Sequence, residues 1–155
     1  MKEVSIYTDG ACSGNPGAGG YGAILCYRDK SREISAGYRL TTNNRMELKA
    51  AIEALRLLKE PCKVTLWSDS KYLVEAINQN WLDGWKKRNF FDPKTKQKRV
   101  NFDLWEQLSD QLSRHDVRFI WVKGHDGHPQ NERCDELAVA ALKQDCLLID
   151  EGYIS

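Results

Sequence analysis

The sequence predicts an α/β fold, a mixed sheet flanked by helices. Three observations carry that expectation. Residues 2–9 alternate, with Val4, Ile6 and Thr8 on one face and Ser5, Tyr7 and Asp9 on the other, which is the period of a strand. Residues 63–68 and 117–122 are short strand-like runs set between helical patterns, as parallel strands joined by crossovers are. Residues 44–59 carry Leu48, Ala51, Ile52, Leu55 and Leu58 in one helical stripe, and residues 102–113 and 131–144 repeat that spacing.

The remaining elements follow in order. Residues 10–20 (GACSGNPGAGG) are rich enough in Gly and Pro to read as a turn. Residues 21–27 and 32–40, joined by the polar RDKS, form a hairpin that belongs at one edge of the sheet. Pro61 ends the first helix. A helix near 70–80 carries Leu73, Val74 and Ile77, residues 81–99 read as helix followed by loop, and 124–130 (GHDGHPQ) as a loop. No repeat or linker divides the chain, so residues 1–155 are expected to form one domain.

Composition narrows the class. Of the 155 residues 41% are hydrophobic and 29% charged, which excludes a disordered chain. The longest apolar runs are too short to span a bilayer, and Met1-Lys2-Glu3 leads into a strand with no signal-peptide pattern. The five cysteines are an odd number without a C-x-x-C pair, as expected of reduced thiols in a cytoplasmic protein. No heptad or spare apolar stripe is evident, so a monomer is expected. The net charge of +1 hides an asymmetry: residues 86–99 hold seven Lys/Arg and one Asp, leaving the other 141 residues at about −5. A basic projection on an acidic body points to phosphate binding.

Four acids hold special places. Asp9 ends the first strand and Asp69 the fourth, where open α/β sheets place their ligands. Glu47 and Asp135 fall in the first turns of their helices. Each has an ordinary use: an Asp-Gly turn at 9–10, a helix cap at Asp69, a capping box at Asn44-x-x-Glu47, and a favourable helix dipole at Asp135. Jointly they say more, because carboxylates gathered in one pocket repel unless a cation neutralises them. An all-oxygen set selects a hard ion, Mg²⁺ or Mn²⁺. Other signals are declined. Gly17-Ala-Gly19-Gly-Tyr-Gly22 satisfies G-x-G-x-x-G but leads into a strand, whereas a dinucleotide loop opens onto a helix. His125, His128 and Cys134 lack a fourth zinc ligand, and Ser13, Ser68 and Ser70 lack a nucleophile-elbow context.

The segments TDGACSGNPGAGGYGAI, TTNNRMELKAAIEAL, SDSKYL, WKKR and WVKGHDGHPQNERCDELA together resemble bacterial ribonuclease H type I, over about residues 3–153. The resemblance implies a five-stranded mixed sheet, three antiparallel strands plus two parallel ones, flanked by helices and carrying a basic handle at about 81–99. It implies hydrolysis of the RNA strand of RNA–DNA hybrids by a two-metal-ion mechanism, leaving 5′-phosphate and 3′-hydroxyl ends, with up to two Mg²⁺ (or Mn²⁺) per site. Carried over by motif, Asp9, Glu47, Asp69 and Asp135 are the metal-binding catalytic acids. Asp9 would bridge both ions, with Glu47 and Asp69 on one and Asp135 on the other.

His125 matches the loop histidine that moves a proton to the departing oxygen or aids product release. Glu47, Asn44 and the backbone at Gly10 would read the 2′-hydroxyl, while Asn15, Thr42 and Asn43 would touch the DNA strand. Trp81 and Trp85 would anchor the handle, with Lys86, Lys87, Arg88, Lys94, Lys96, Lys98 and Arg99 facing the duplex. The chain departs from the family pattern in four places. Lys71 stands where relatives carry glutamine, and it is placed among the hybrid contacts as a cation beside Asp69. Asp126 sets a carboxylate beside His125, Leu40 takes an often basic position, and Phe90-Phe91 stand where tryptophan is common. Two rival readings are a catalytically silent hybrid-binding module and a two-metal nuclease acting on DNA. Acids beside phosphates disfavour the first, and the Asn and Thr set the second.

Overall fold

The computed structural model describes residues 1–124 and 127–154; His125, Asp126 and Ser155 lie outside the described residues. Three antiparallel strands open the chain: β1 (Lys2–Ser13), β2 (Gly17–Tyr27) and β3 (Lys30–Thr41). Helix α1 (Asn43–Arg56) leads to β4 (Cys62–Ser68), followed by α2 (Lys71–Asn78) and α3 (Trp81–Lys87). A small hairpin, β5 (Phe91–Asp92) and β6 (Gln97–Lys98), precedes α4 (Phe102–Arg114), β7 (Asp116–Trp121) and α5 (Pro129–Leu142). The main sheet runs β3-β2-β1-β4-β7, with β4 parallel to β1 and β7 parallel to β4. This is the five-stranded mixed sheet expected from sequence. Among the described residues no helix is long and apolar enough to cross a membrane, and all five cysteines are free.

The two faces of the sheet are covered differently. Ile6, Val64 and Leu66 pack beneath Leu48, Ile52 and Leu55 of α1, with Leu104, Trp105 and Leu108 of α4 in the same core. The other face is covered by α5. Its close approach explains three glycines of β2 and β3, of which Gly20 falls in the expected turn and Gly22 and Gly37 in the expected strands. A Cβ on Gly20 would lie 2.4 Å from the Ala138 carbonyl, one on Gly22 2.4 Å from that of Cys134, and one on Gly37 2.1 Å from that of Ala141. Residues 10–20 are therefore mostly strand, with the turn confined to the stretch between β1 and β2. Glycine serves here to admit a helix backbone against the sheet.

The handle is likewise more ordered than the expected helix and loop. Leu82 and Phe90 are buried, and the Trp85 ring sits 5.3 Å from that of Trp105, edge to face. Trp81 is 48% exposed, so Leu82 and Phe90, not Trp81, share the anchoring with Trp85. Lys86, Lys87, Arg88, Lys94, Lys96 and Lys98 are exposed, whereas the Arg99 guanidinium lies 4.5 Å over the Trp85 ring.

A buried charge network ties the C-terminal segment to the start of α1. The Arg45 guanidinium donates to both oxygens of Asp103 (2.9 and 2.7 Å) and of Asp150 (2.7 and 3.0 Å). Thr41 Oγ1 also donates to Asp150, at 2.7 Å. Burial alone would raise the Asp150 pKa, but the hydrogen bonds from Arg45 and Thr41 prevail and hold it below the usual carboxylate range. The lowered folded-state pKa gives stability that is present above the unfolded value of about 3.9 and lost as pH falls through the folded one. Asp150→Ala is expected to cost about 3 kcal/mol at pH 7, since it strips a buried guanidinium of one partner. Urea unfolding at pH 7 and pH 3 checks this: the loss should shrink at the lower pH.

Candidate active site

Asp9 does not end its strand as expected. β1 continues to Ser13, but its parallel pairing with β4 stops at Tyr7–Trp67. Asp9 therefore lies just beyond the parallel ladder, and Asp69 follows the end of β4 beside it. The backbone N–H of Gly10 donates to Asp9 Oδ1 at 2.9 Å. Gly10 has a steric role as well, because a Cβ there would lie 2.8 Å from Glu47 N and 2.9 Å from Glu47 Oε1. The absence of that carbon lets α1 bring Glu47 against the strand.

The ordinary uses considered for three of these acids are filled by other residues. Thr42, not Asn44, caps α1, its side chain accepting from Arg45 N at 3.3 Å; Glu47 sits beyond the first turn and closes no capping box. Ser70, not Asp69, caps α2 by accepting from Leu73 N at 3.1 Å. Asp135 falls in the second turn of α5, clear of the helix N-terminus. None of the three is spent on a helix end.

One carboxylate oxygen each from Asp9, Glu47 and Asp69 lies within 4.8 Å of the others. Asp135 stands outside that trio but lines one small pocket with Asp9 and Asp69. A Cβ on Gly124 would lie 2.9 Å from Asp69 Oδ2, so glycine there leaves the carboxylate its place. Helix α5 is held to the sheet by Asn131 Nδ2, which donates to the Trp67 carbonyl at 3.4 Å, and by Arg133, which grips Glu33 at 2.8 and 3.1 Å.

Electrostatics make the cluster costly without a cation. Burial, then the charge of Asp69, pushes Asp9 up to about 7, with Asp135 adding to the effect. Burial, then Asp9 and Asp69, pushes Glu47 well above the carboxylate range. Both Glu47 oxygens are enclosed with no hydrogen-bond partner among the described residues. The arrangement can hold protons, or one or more hard cations in their place.

Among the described residues, the other sequence-predicted ones lie outside this pocket. Asn43 N donates to Asn15 Oδ1 at 3.2 Å, joining the β1–β2 turn to α1. Asn15, Thr42 and Asn44 share a groove of about 610 Å³ with Lys98 and Arg99 of the handle. Asn44 also borders a second groove, of about 450 Å³, with Trp81 and Trp85. Lys71 is exposed at the start of α2, its ammonium 5.1 Å over the Trp121 ring, and Trp121 Nε1 donates to the Asp69 carbonyl at 3.1 Å. Lys86, Lys87 and Arg88 project outward. His125 lies outside the described residues. The sequence reading missed Arg45, whose burial no local pattern announces, and Asn131. A signal for Asn131 existed: it precedes Asp135 by four residues and so shares its helix face.

Because the folded-state pKa values of Asp9 and Glu47 are raised, the folded chain keeps protons that the unfolded chain releases. Stability from this source is present below about pH 4 and declines as pH rises through about 7. In EDTA at pH 8, Asp9→Asn is expected to be more stable than the wild type by on the order of 1 kcal/mol or more, and near pH 4 equally stable. Thermal melts at the two pH values decide it, and identical curves at pH 8 would contradict the repulsion.

Comparison with known proteins agrees with the fold. The RNase H family model matches residues 1–143. The ribonuclease H of Tolumonas auensis is 52% identical over 155 residues, covering 100% of this chain and 99% of that protein. The ribonuclease H of Klebsiella pneumoniae is 55% identical over 156 residues, with 99% and 97% covered. Among solved structures, LC9-RNase H1, described as a type 1 RNase H with the type 2 active-site motif, superposes with a TM-score of 0.81 at 32% identity, covering 99% of this chain and 79% of that one. LC11-RNase H1, solved in complex with RNA/DNA hybrid, shares the fold with a TM-score of 0.65 at 24% identity, with 90% and 96% covered. With the match spanning nearly the whole sequence, the chain belongs to the RNase H family.

Proposed function

We propose that this chain is a divalent-metal-dependent endoribonuclease that hydrolyses the RNA strand of RNA–DNA hybrids, leaving 5′-phosphate and 3′-hydroxyl ends, with residues 1–155 acting as a single domain. The observation that carries the reading is the convergence of Asp9, Glu47 and Asp69 oxygens within 4.8 Å, with both oxygens of Glu47 enclosed and unpartnered among the described residues. Once deprotonated, such an all-oxygen set fits a hard cation. Mg²⁺ is the assigned ion, with Mn²⁺ able to replace it. Asp9, Glu47, Asp69 and Asp135 are its ligands. When bound, the metal supplies an activated water and stabilises the leaving oxygen in line with it.

The chain's own residues do the rest. Asp9 and Glu47 give up their protons on loading, and their negative charge is then balanced instead of mutually opposed. Gly10 N–H fixes one oxygen of Asp9, so its carboxylate arrives oriented. His125 is assigned the proton that the departing ribose oxygen needs. Glu47, Asn44 and the Gly10 backbone read the 2′-hydroxyl, which distinguishes RNA from DNA at the cleaved strand. Asn15, Thr42 and Asn43 take the DNA strand, supported by their position beside the groove that continues toward the handle. Lys71, Trp81, Trp85, Lys86, Lys87 and Arg88 bind the duplex, and the exposed cations draw phosphate toward an otherwise acidic body. The protein is assigned to the cytoplasm as a monomer.

A labelled hybrid incubated with Mg²⁺ tests the reading. RNA cleavage is expected, with no cleavage of the matching DNA duplex, and Asp9→Asn should lower turnover by about 10³-fold or more while hybrid binding persists. Binding without scission by the wild type would favour the silent module, and equal cleavage of DNA would favour a different nuclease. Neutralising Lys86, Lys87 and Arg88 together should raise KM, leave kcat nearly unchanged, and flatten the slope of log KM against log salt by about 2–3. A loss confined to kcat would contradict a binding handle.

A further inference from the structure

Asn131 lines the pocket that holds Asp9, Asp69 and Asp135, yet the reaction outlined above gives it no part. Its amide is held at one end only: Nδ2 donates to the Trp67 carbonyl at 3.4 Å, while Oδ1 is enclosed and has no hydrogen-bond partner among the described residues. An enclosed acceptor without a donor is unfavourable, and native proteins keep few of them. Once the carboxylates around it are ionised on a cation they offer only oxygens, so none can then satisfy it. The pocket leaves a cavity of about 10 Å³, close to the space one water needs. Asn131 precedes Asp135 by one helical turn, so both approach the pocket from the same face of α5. The atom that suits this place is a neutral acceptor, since a further carboxylate would add repulsion to a pocket already lined by Asp9, Asp69, Glu132 and Asp135.

We propose that Asn131 is a positioning residue whose Oδ1 accepts a hydrogen bond from a hydration water of the divalent cation and holds that water against Asp9, Asp69 and Asp135. The inference rests on the metal reading of the preceding subsection. Small divalent cations of the Mg²⁺ type keep several waters when carboxylates bind them, and groups that hydrogen-bond to the inner ligands set affinity along with the ligands themselves. The Trp67 bond then has a clear purpose: it turns the amide so that its acceptor end is left for the pocket.

The test uses the full chain and Mn²⁺ as the probe, with affinity read by calorimetric titration at pH 8 and structural integrity by thermal melts in EDTA. Asn131→Leu removes both donor and acceptor at nearly constant size, and Asn131→Asp keeps an acceptor while losing the donor to Trp67. Asn131→Leu is expected to weaken Mn²⁺ binding about 10-fold, and Asn131→Asp to bind no more weakly than the wild type. If Asn131→Leu does not fold, Asn131→Ala takes its place with the same expectation. The proposal is overturned if the acceptor-free variant binds Mn²⁺ within about twofold of the wild type. It is equally overturned if Asn131→Asp is weakened as much, which would assign the role to the Trp67 bond. A wild type that binds no Mn²⁺ would bring down the metal reading itself, a result distinct from either.

Discussion

Like charges gathered out of water set the terms for this molecule. Asp9, Glu47 and Asp69 are brought to one point at the end of a parallel ladder, two of them buried, where burial and the charge of Asp69 raise the proton affinity of both Asp9 and Glu47. A fold selected only for stability would place caps or apolar side chains there. The surrounding choices instead preserve the cluster. Gly10 and Gly124 vacate space for Glu47 and Asp69, and Thr42 and Ser70 take over the capping that acids would otherwise perform. Packing elsewhere, including the close seat of α5 on the glycines of β2 and β3, offsets the electrostatic cost.

The same constraint shapes the surface. An acidic body that must receive a polyanion needs its cations displaced from the acids, or they would simply neutralise them. Seven of the 23 Lys and Arg residues are set on a hairpin-bearing handle whose root is fixed by Leu82, Phe90 and the Trp85–Trp105 contact. The grooves beside Asn44 join the start of α1 to that handle, so phosphate attraction and carboxylate chemistry are kept apart on the surface. Arg45 links the two ends from inside, joining the start of α1 to Asp103 at the head of α4 and to the C-terminal segment through Asp150.

Strand and helix periods made the sheet order and the helices readable from the letters, and the acids stood out because four of them fell at special places. What stayed hidden has physical causes. Gly20 looked like part of a turn because local propensity carries no knowledge of α5, which packs on it from more than a hundred residues away. The cap expected at Asn44 lies two residues earlier, since Thr42 offers an equally good acceptor oxygen and only backbone geometry chooses. Trp81 read as an anchor because tryptophan is more often buried than not, whereas here it remains open beside a groove. Arg45 was illegible because burial of a polar group follows from distant partners, whereas Asn131 could have been found from its spacing to Asp135. The pocket's grouping of Asp135 apart from the tight trio was likewise a matter of tertiary distance.

The central claim is that protons occupy the acid cluster until a divalent cation displaces them. Titration calorimetry with Mg²⁺ at pH 6, repeated in buffers of differing ionisation enthalpy, counts the protons released on binding. The account predicts net release at pH 6 that diminishes at pH 8.5, where Asp9, with its pKa near 7, has already ionised. Binding with no proton release at either pH would contradict it.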